Sequence, residues 1–115
     1  MMKPLLFLLK PGFYDGPGDP YYCPYCMMFE GVLKVYPRLT QQVELRYVDF
    51  KKPRQEIVDL IGEENQSCPV IVFDQSYASL LPFNANRYGD RLFLNEPEEI
   101  GLFLSRVFQI PRPHF

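Results

Sequence analysis

At 115 residues, 47% hydrophobic and 16% aromatic, the chain has the apolar content for one modest packed core and is not a disordered tract. A formal charge of -2 and a sequence pI near 5.3 give no electrostatic basis for binding nucleic acid. Three cysteines are too few, and odd in number, for a disulfide framework.

The first apolar run, Lys3 to Leu9, reads as a short strand buried on both faces of an α/β sheet. It falls short of a signal-peptide core of roughly 7–15 apolar residues, and no later stretch could span a bilayer as a helix. The expectation is a single cytoplasmic domain over residues 1–115, with neither a nucleic-acid nor a membrane partner. Lys10 to Asp19 then places three glycines and two prolines in ten residues, a loop longer than most strand-to-helix connections and one that leads straight to the cysteines.

Cys23 to about Tyr36 reads as the first helix. Pro24 suits the first helical position, where its missing N–H costs nothing, and this makes Cys23 the cap. Free N–H groups and the helix dipole there favour negative charge on the Cys23 sulfur. Cys26 follows on the same face, within reach of a disulfide. Cys26, Phe29, Leu33 and Tyr36 mark an apolar stripe that Met28, Val32 and Val35 broaden, while Glu30 and Lys34 form an i,i+4 pair. Gly31 suggests close backbone packing, and Pro37 stops the helix. Val43 to Phe50 is a strand with imperfect alternation; with the first strand and the helix between them it predicts a parallel βαβ unit.

Pro53 to Ile61 reads as a second helix that ends at Gly62. After a polar loop, Cys68-Pro69 opens the fully apolar strand Val70 to Phe73. From Asp74 to Asp90 periodicity is lost. Arg91 to Leu94 reads as a hairpin partner of the preceding strand. Asn95 is placed to cap a last helix, with Pro97 in its first turn and Glu98 set for a capping box. Ile100, Phe103, Leu104, Val107 and Phe108 give that helix the clearest amphipathic spacing in the chain. Residues 110–115 are a proline-rich tail.

The tetrad Cys23-Pro24-Tyr25-Cys26 resembles the active site of dithiol glutaredoxins, within the thioredoxin-like superfamily. Ser67-Cys68-Pro69-Val70 stands where that superfamily places its cis-proline. The runs PGFYDGPGDPYYCPYC, FEGVLKVYP, GEENQSCPVIVF and IPRPHF are similar to an uncharacterised bacterial thioredoxin-like family. The resemblance implies an α/β, thioredoxin-like fold of order β-α-β-α-β-β-α, with a central mixed four-stranded sheet flanked by helices. It implies a thiol–disulfide oxidoreductase in which Cys23 is the nucleophile and Cys26 the resolving thiol. Tyr25, the Cys68 backbone and Pro69 would hold the substrate, with no cofactor and no metal. The partner would be a disulfide-containing protein or a low-molecular-weight thiol, glutathione among them.

The chain departs from the glutaredoxin pattern around that thiol. Pro20, Tyr21 and Tyr22 stand where a lysine is usual, and no Gly-Gly pair follows the proline strand. Lys10, Arg87 and Arg91 are candidate cations for such a substrate and Asp90 a candidate acid. Tyr21, Tyr22 and Tyr25 are alternatively the lining of a groove for a protein or apolar thiol. Two other classes stay open. One is a metal- or Fe–S-binding module using Cys23, Cys26 and Cys68, with His114, glutathione or a second subunit as the fourth ligand. The other is a binding domain without turnover.

Overall fold

The structure, a computed structural model, describes residues 2–115. The elements are β1 (Leu5–Leu9), α1 (Pro24–Val35), α2 (Leu39–Gln42), β2 (Glu44–Val48), α3 (Gln55–Ile61), β3 (Val70–Phe73), β4 (Asn86–Tyr88), β5 (Arg91–Leu94) and α4 (Pro97–Phe108), with a 3₁₀ stretch at Gln75–Leu80. One mixed α/β sheet runs in the order β2-β1-β3-β5-β4. Strand β1 is parallel to β2, which gives the expected βαβ unit, and the other pairings are antiparallel.

Burial follows the apolar pattern. Leu6, Phe7, Leu8 and Leu9 of β1 and all four residues of β3 are buried. These two strands lie inside the sheet, where both faces are covered. On α1 the buried stripe is Cys26, Phe29 and Leu33, and on α4 it is Ile100, Gly101, Phe103 and Leu104. Val35, expected to broaden the first stripe, is exposed.

The predicted four-stranded sheet is corrected to five strands. The added one, β4, lies within the aperiodic 74–90 connection. Its three residues are all exposed, so no apolar alternation marks it. Backbone pairing makes it: Tyr88 pairs with Arg91 across a two-residue turn, with Gly89 at φ 59 as its first residue. A type II′ hairpin turn wants glycine at that position. The 3₁₀ stretch is started by the Asp74 carboxylate, which accepts from the Ser76 N–H at 2.9 Å. It is anchored by buried Tyr77, whose hydroxyl donates to the Met2 carbonyl at 2.7 Å.

Smaller expectations change too. Glu96, not Asn95, is the N-cap of α4, and it makes no side-chain capping bond, so the capping box does not form. Pro97 at the first helical position does the starting instead. Glu30 takes a hydrogen bond from the Tyr47 hydroxyl at 2.9 Å and is not paired with Lys34. The proline-rich tail has no regular structure but packs on α4: a Cβ on Gly101 would come within 2.6 Å of the Pro113 ring.

The close packing expected at Gly31 is found at Gly62. A Cβ on Gly31 would meet nothing within 4 Å, whereas one on Gly62 would lie 2.6 Å from the Tyr88 ring at a backbone φ of +91. We expect Gly31→Ala to raise stability by up to about 1 kcal/mol through helix propensity. Gly62→Ala should lower it by roughly 2–3 kcal/mol, from backbone strain and the clash together. Urea denaturation of the two variants measures both.

Candidate functional site

The site forms at one end of the sheet, where β1 and β2 finish and β3 begins. Phe7 pairs with Val70, so Pro69 and Cys68 arrive beside the last residues of β1. Helix α1 starts at the same end. Cys23 is its N-cap, in extended conformation, and Pro24 is its first helical residue, as the sequence indicates. The Cys26 N–H donates to the Cys23 sulfur at 3.2 Å. An N–H of the first helical turn is thereby satisfied by sulfur, and the contact is stronger if that sulfur is a thiolate.

Beside Cys23, the Cys68–Pro69 peptide bond is cis. The Cys23 sulfur lies 4.0 Å from the Cys68 carbonyl oxygen. The three cysteines are all free thiols, but their surroundings differ: Cys23 and Cys68 are half-buried and Cys26 is buried. The Cys26 sulfur accepts the Leu9 N–H at 3.4 Å, which fixes it under the end of β1. Burial pushes the Cys26 thiol well above its ordinary value, Cys23 adds to the rise, and the Leu9 N–H pulls against it. Burial likewise pushes the Cys68 thiol up to about 11, against the opposing pull of the Arg54 charge.

Arg54 is the site residue that sequence reasoning missed. It is 8% exposed, the one buried charged residue among those described. Its guanidinium donates to the Phe50 carbonyl at 2.6 and 3.1 Å and to the Gln66 carbonyl at 2.6 Å. Its own N–H is held by the Gln66 side chain at 2.7 Å, and the guanidinium lies 5.4 Å from the Phe50 ring centre. Phe50 stacks in turn on Phe13 of the long glycine-rich loop, with ring centres 4.4 Å apart. That loop closes on itself through Phe13 and Tyr21, which exchange N–H···O bonds of 3.1 and 2.7 Å. Arg54 therefore joins the connection before Cys68 to the loop before Cys23. An arginine after Pro53 looks like a solvated first-turn residue, and nothing in the sequence pattern marks it as buried.

Of the other candidates, Tyr21, Tyr22 and Tyr25, which stand within two residues of Cys23 in the chain, are exposed. Lys10 directly follows β1 at this end and pairs with Asp49 at 3.3 Å. Arg87, Asp90 and Arg91 are not at the site. Arg87 pairs with Leu92, and Leu92 pairs with Phe73 at the far end of β3, so these residues lie toward the opposite end of the sheet from Pro69. His114 is exposed in the tail, against a groove lined by Met28, Val32 and Gly101. Among the described residues, no group of three or more His, Cys, Asp or Glu side chains is arranged to hold a metal ion. Two hollows of about 430 and 330 Å³ share Lys10, Asp49 and Lys51 in their walls, and neither is lined by a cysteine.

Residues 3–112 match a family described as "Protein of unknown function (DUF3088)". The chain belongs to that family. The match fits the resemblance to an uncharacterised family, and it assigns no activity. No curated protein and no solved structure matches the chain. Among the described residues of this DUF3088 member, no helix is long and apolar enough to cross a membrane.

Two outcomes follow from the electrostatics. Cys26 and Cys68 have folded-state pKa values raised above the ordinary 9.0, so folding favours their neutral thiols. That contribution is complete below about pH 9 and is lost as pH climbs through 11 and beyond. Reduced protein should show a lower denaturation midpoint near pH 11 than near pH 8, with a smaller drop in Cys68→Ala. Arg54→Leu strands the Phe50 and Gln66 carbonyls and should cost about 2–4 kcal/mol. It also removes the charge that lowers the Cys68 thiol, so mass-mapped alkylation of Cys68 at pH 9 should slow.

Proposed function

We propose that this protein is a thiol–disulfide oxidoreductase built on a thioredoxin-like plan, with Cys23 as nucleophile and Cys26 as resolving thiol. The observation that carries the reading is the Cys23 sulfur: it caps α1, accepts the Cys26 N–H at 3.2 Å and faces the cis Cys68–Pro69 peptide. A sulfur so placed is exposed enough to attack and has a donor ready for negative charge. The order β1-α1-β2-α3-β3-β5-α4 supports the fold part, with α2, the 3₁₀ stretch and β4 as additions.

The Cys23 thiolate attacks one sulfur of a substrate disulfide, forms a mixed disulfide and releases the other sulfur as a thiolate. Attack by Cys26 on the Cys23 sulfur then releases the second substrate thiolate and closes the Cys23–Cys26 bridge. The substrate is thereby reduced by two electrons and the enzyme oxidised by two. A reductant of the dithiol or glutathione class resets it. Leu9 holds the Cys26 sulfur in place, and half-buried Cys68, ahead of buried Pro69, is the segment assigned to meet an extended substrate chain.

Exposed Tyr21, Tyr22 and Tyr25 next to Cys23 in the chain favour a disulfide carried on a protein surface over a small thiol held in a pocket. The glycine-rich loop, tied down through Phe13 and Phe50, supplies one wall of that surface.

Reduced protein titrated with glutathione redox buffers should interconvert between dithiol and Cys23–Cys26 disulfide. Cys23→Ser should lose at least about a hundredfold in disulfide-reduction rate, since the hydroxyl is not ionised near neutral pH. Wild-type rates in Cys23→Ser would sink the reading. Replacing Tyr21 and Tyr22 by alanine should weaken reduction of a protein disulfide more than that of a small aromatic disulfide.

A further inference from the structure

We propose that Cys68 is a second resolving thiol, which closes a Cys23–Cys68 disulfide in competition with Cys23–Cys26. This rests on the reading of Cys23 as nucleophile and adds a reacting group to it. Cys23 and Cys68 are both half-buried, and the Cys23 sulfur lies 4.0 Å from the Cys68 backbone carbonyl oxygen, which brings residue 68 beside the nucleophile. Cys26 is fully buried, and its sulfur is engaged by the Leu9 N–H at 3.4 Å. A mixed disulfide on Cys23 therefore has two neighbouring thiols, buried Cys26 one turn along the helix and half-buried Cys68 on the adjoining segment.

Electrostatics favours Cys68. Thiol–disulfide exchange needs the thiolate, and both candidates are hard to ionise. The Cys68 thiol is pushed up to about 11, and the Cys26 thiol further. Among the influences on Cys68 is the Arg54 charge, which lowers it, whereas Cys26 is lowered only by the Leu9 N–H. Arg54 is fixed by the Phe50 and Gln66 carbonyls, so its charge stays near Cys68. The buried guanidinium thus has a chemical use as well as a structural one.

The step balances as follows. Cys23 thiolate and substrate disulfide give a Cys23–substrate mixed disulfide and one substrate thiolate. The Cys68 thiol gives its proton to solvent, its sulfur attacks that of Cys23, and the second substrate thiolate leaves. The Cys23–Cys68 bond forms as the Cys23–substrate bond breaks, and the substrate disulfide is the oxidant. Cys26 can then attack the Cys23 sulfur, its proton passing to the departing Cys68 sulfur, which forms Cys23–Cys26 and frees Cys68 as a thiol. The three sulfurs form a relay in which Cys23 is the common member.

The test compares wild type, Cys26→Ser, Cys26→Ala, Cys68→Ser and the Cys26→Ser/Cys68→Ser double variant, all full-length and reduced. Each is exposed to a small aromatic disulfide, quenched in acid and mapped by proteolysis and mass spectrometry. Circular dichroism shows which variants are folded, and Cys26→Ala stands in if serine is not tolerated at the buried position. The expected result is a Cys23–Cys68 cross-link in the Cys26 variants. Their Cys23 mixed disulfide should also be at least about tenfold shorter-lived than in the double variant. If the Cys26 variants hold a persistent mixed disulfide with Cys68 free, while Cys68→Ser still closes Cys23–Cys26, Cys68 is no resolving thiol and the oxidoreductase reading stands. If Cys23 forms no mixed disulfide in any variant and no bridge in wild type, both readings fall together.

Discussion

A buried guanidinium must find acceptors for its donors, and here Arg54 finds them on two separate loops. Its bonds to the Phe50 and Gln66 carbonyls tie the end of the βαβ unit to the chain that enters β3. Taking the charge out of water is costly, and leaving those carbonyls without donors would be costly too. The arrangement is therefore held as a unit. Because Phe50 also stacks on Phe13, the unit reaches the long loop ahead of Cys23. The two chain segments that bear the half-exposed thiols are positioned against one common support.

On that support the three thiols are graded by environment. Cys23 sits at a helix tip with a donor aimed at its sulfur; Cys68 is half-buried within the field of Arg54; Cys26 is buried under the end of β1. The grading comes from secondary structure. A cap position is exposed by construction, and a position one turn into an amphipathic helix faces the core. Cys23 and Cys26 differ in burial for the same reason that any N-cap differs from a core residue of the first turn.

Much of this was legible in the sequence. Long apolar runs and helical spacing indicated β1, β3, α1 and α4, and Pro24 placed the helix start so that Cys23 became its cap. Strand β4 was not legible, because a short edge strand with three exposed residues carries no apolar pattern and exists through its partner β5. Asn95 has the residue type of a cap but is not the cap of α4, because cap propensity is a local preference and Pro97 fixes the start one residue later. Arg54 escaped notice for a deeper reason. Its burial depends on Phe50 and Gln66, which lie on either side of it in sequence and meet only in the folded chain. Arg87 and Arg91 were candidates by residue type alone, and strand register places them away from the thiols.

The antiparallel course of β3 separates two regions of the molecule. It begins beside the thiols and ends at Phe73, where the Asp74 turn, the 3₁₀ stretch and the Gly89–Asp90 hairpin are grouped with Met2. The additions to the plain βαβα-ββα plan are thus gathered mostly at the pole remote from sulfur. Changes in that remote region can reshape the far surface without touching the setting of the three thiols, a separation written into the direction of a single strand.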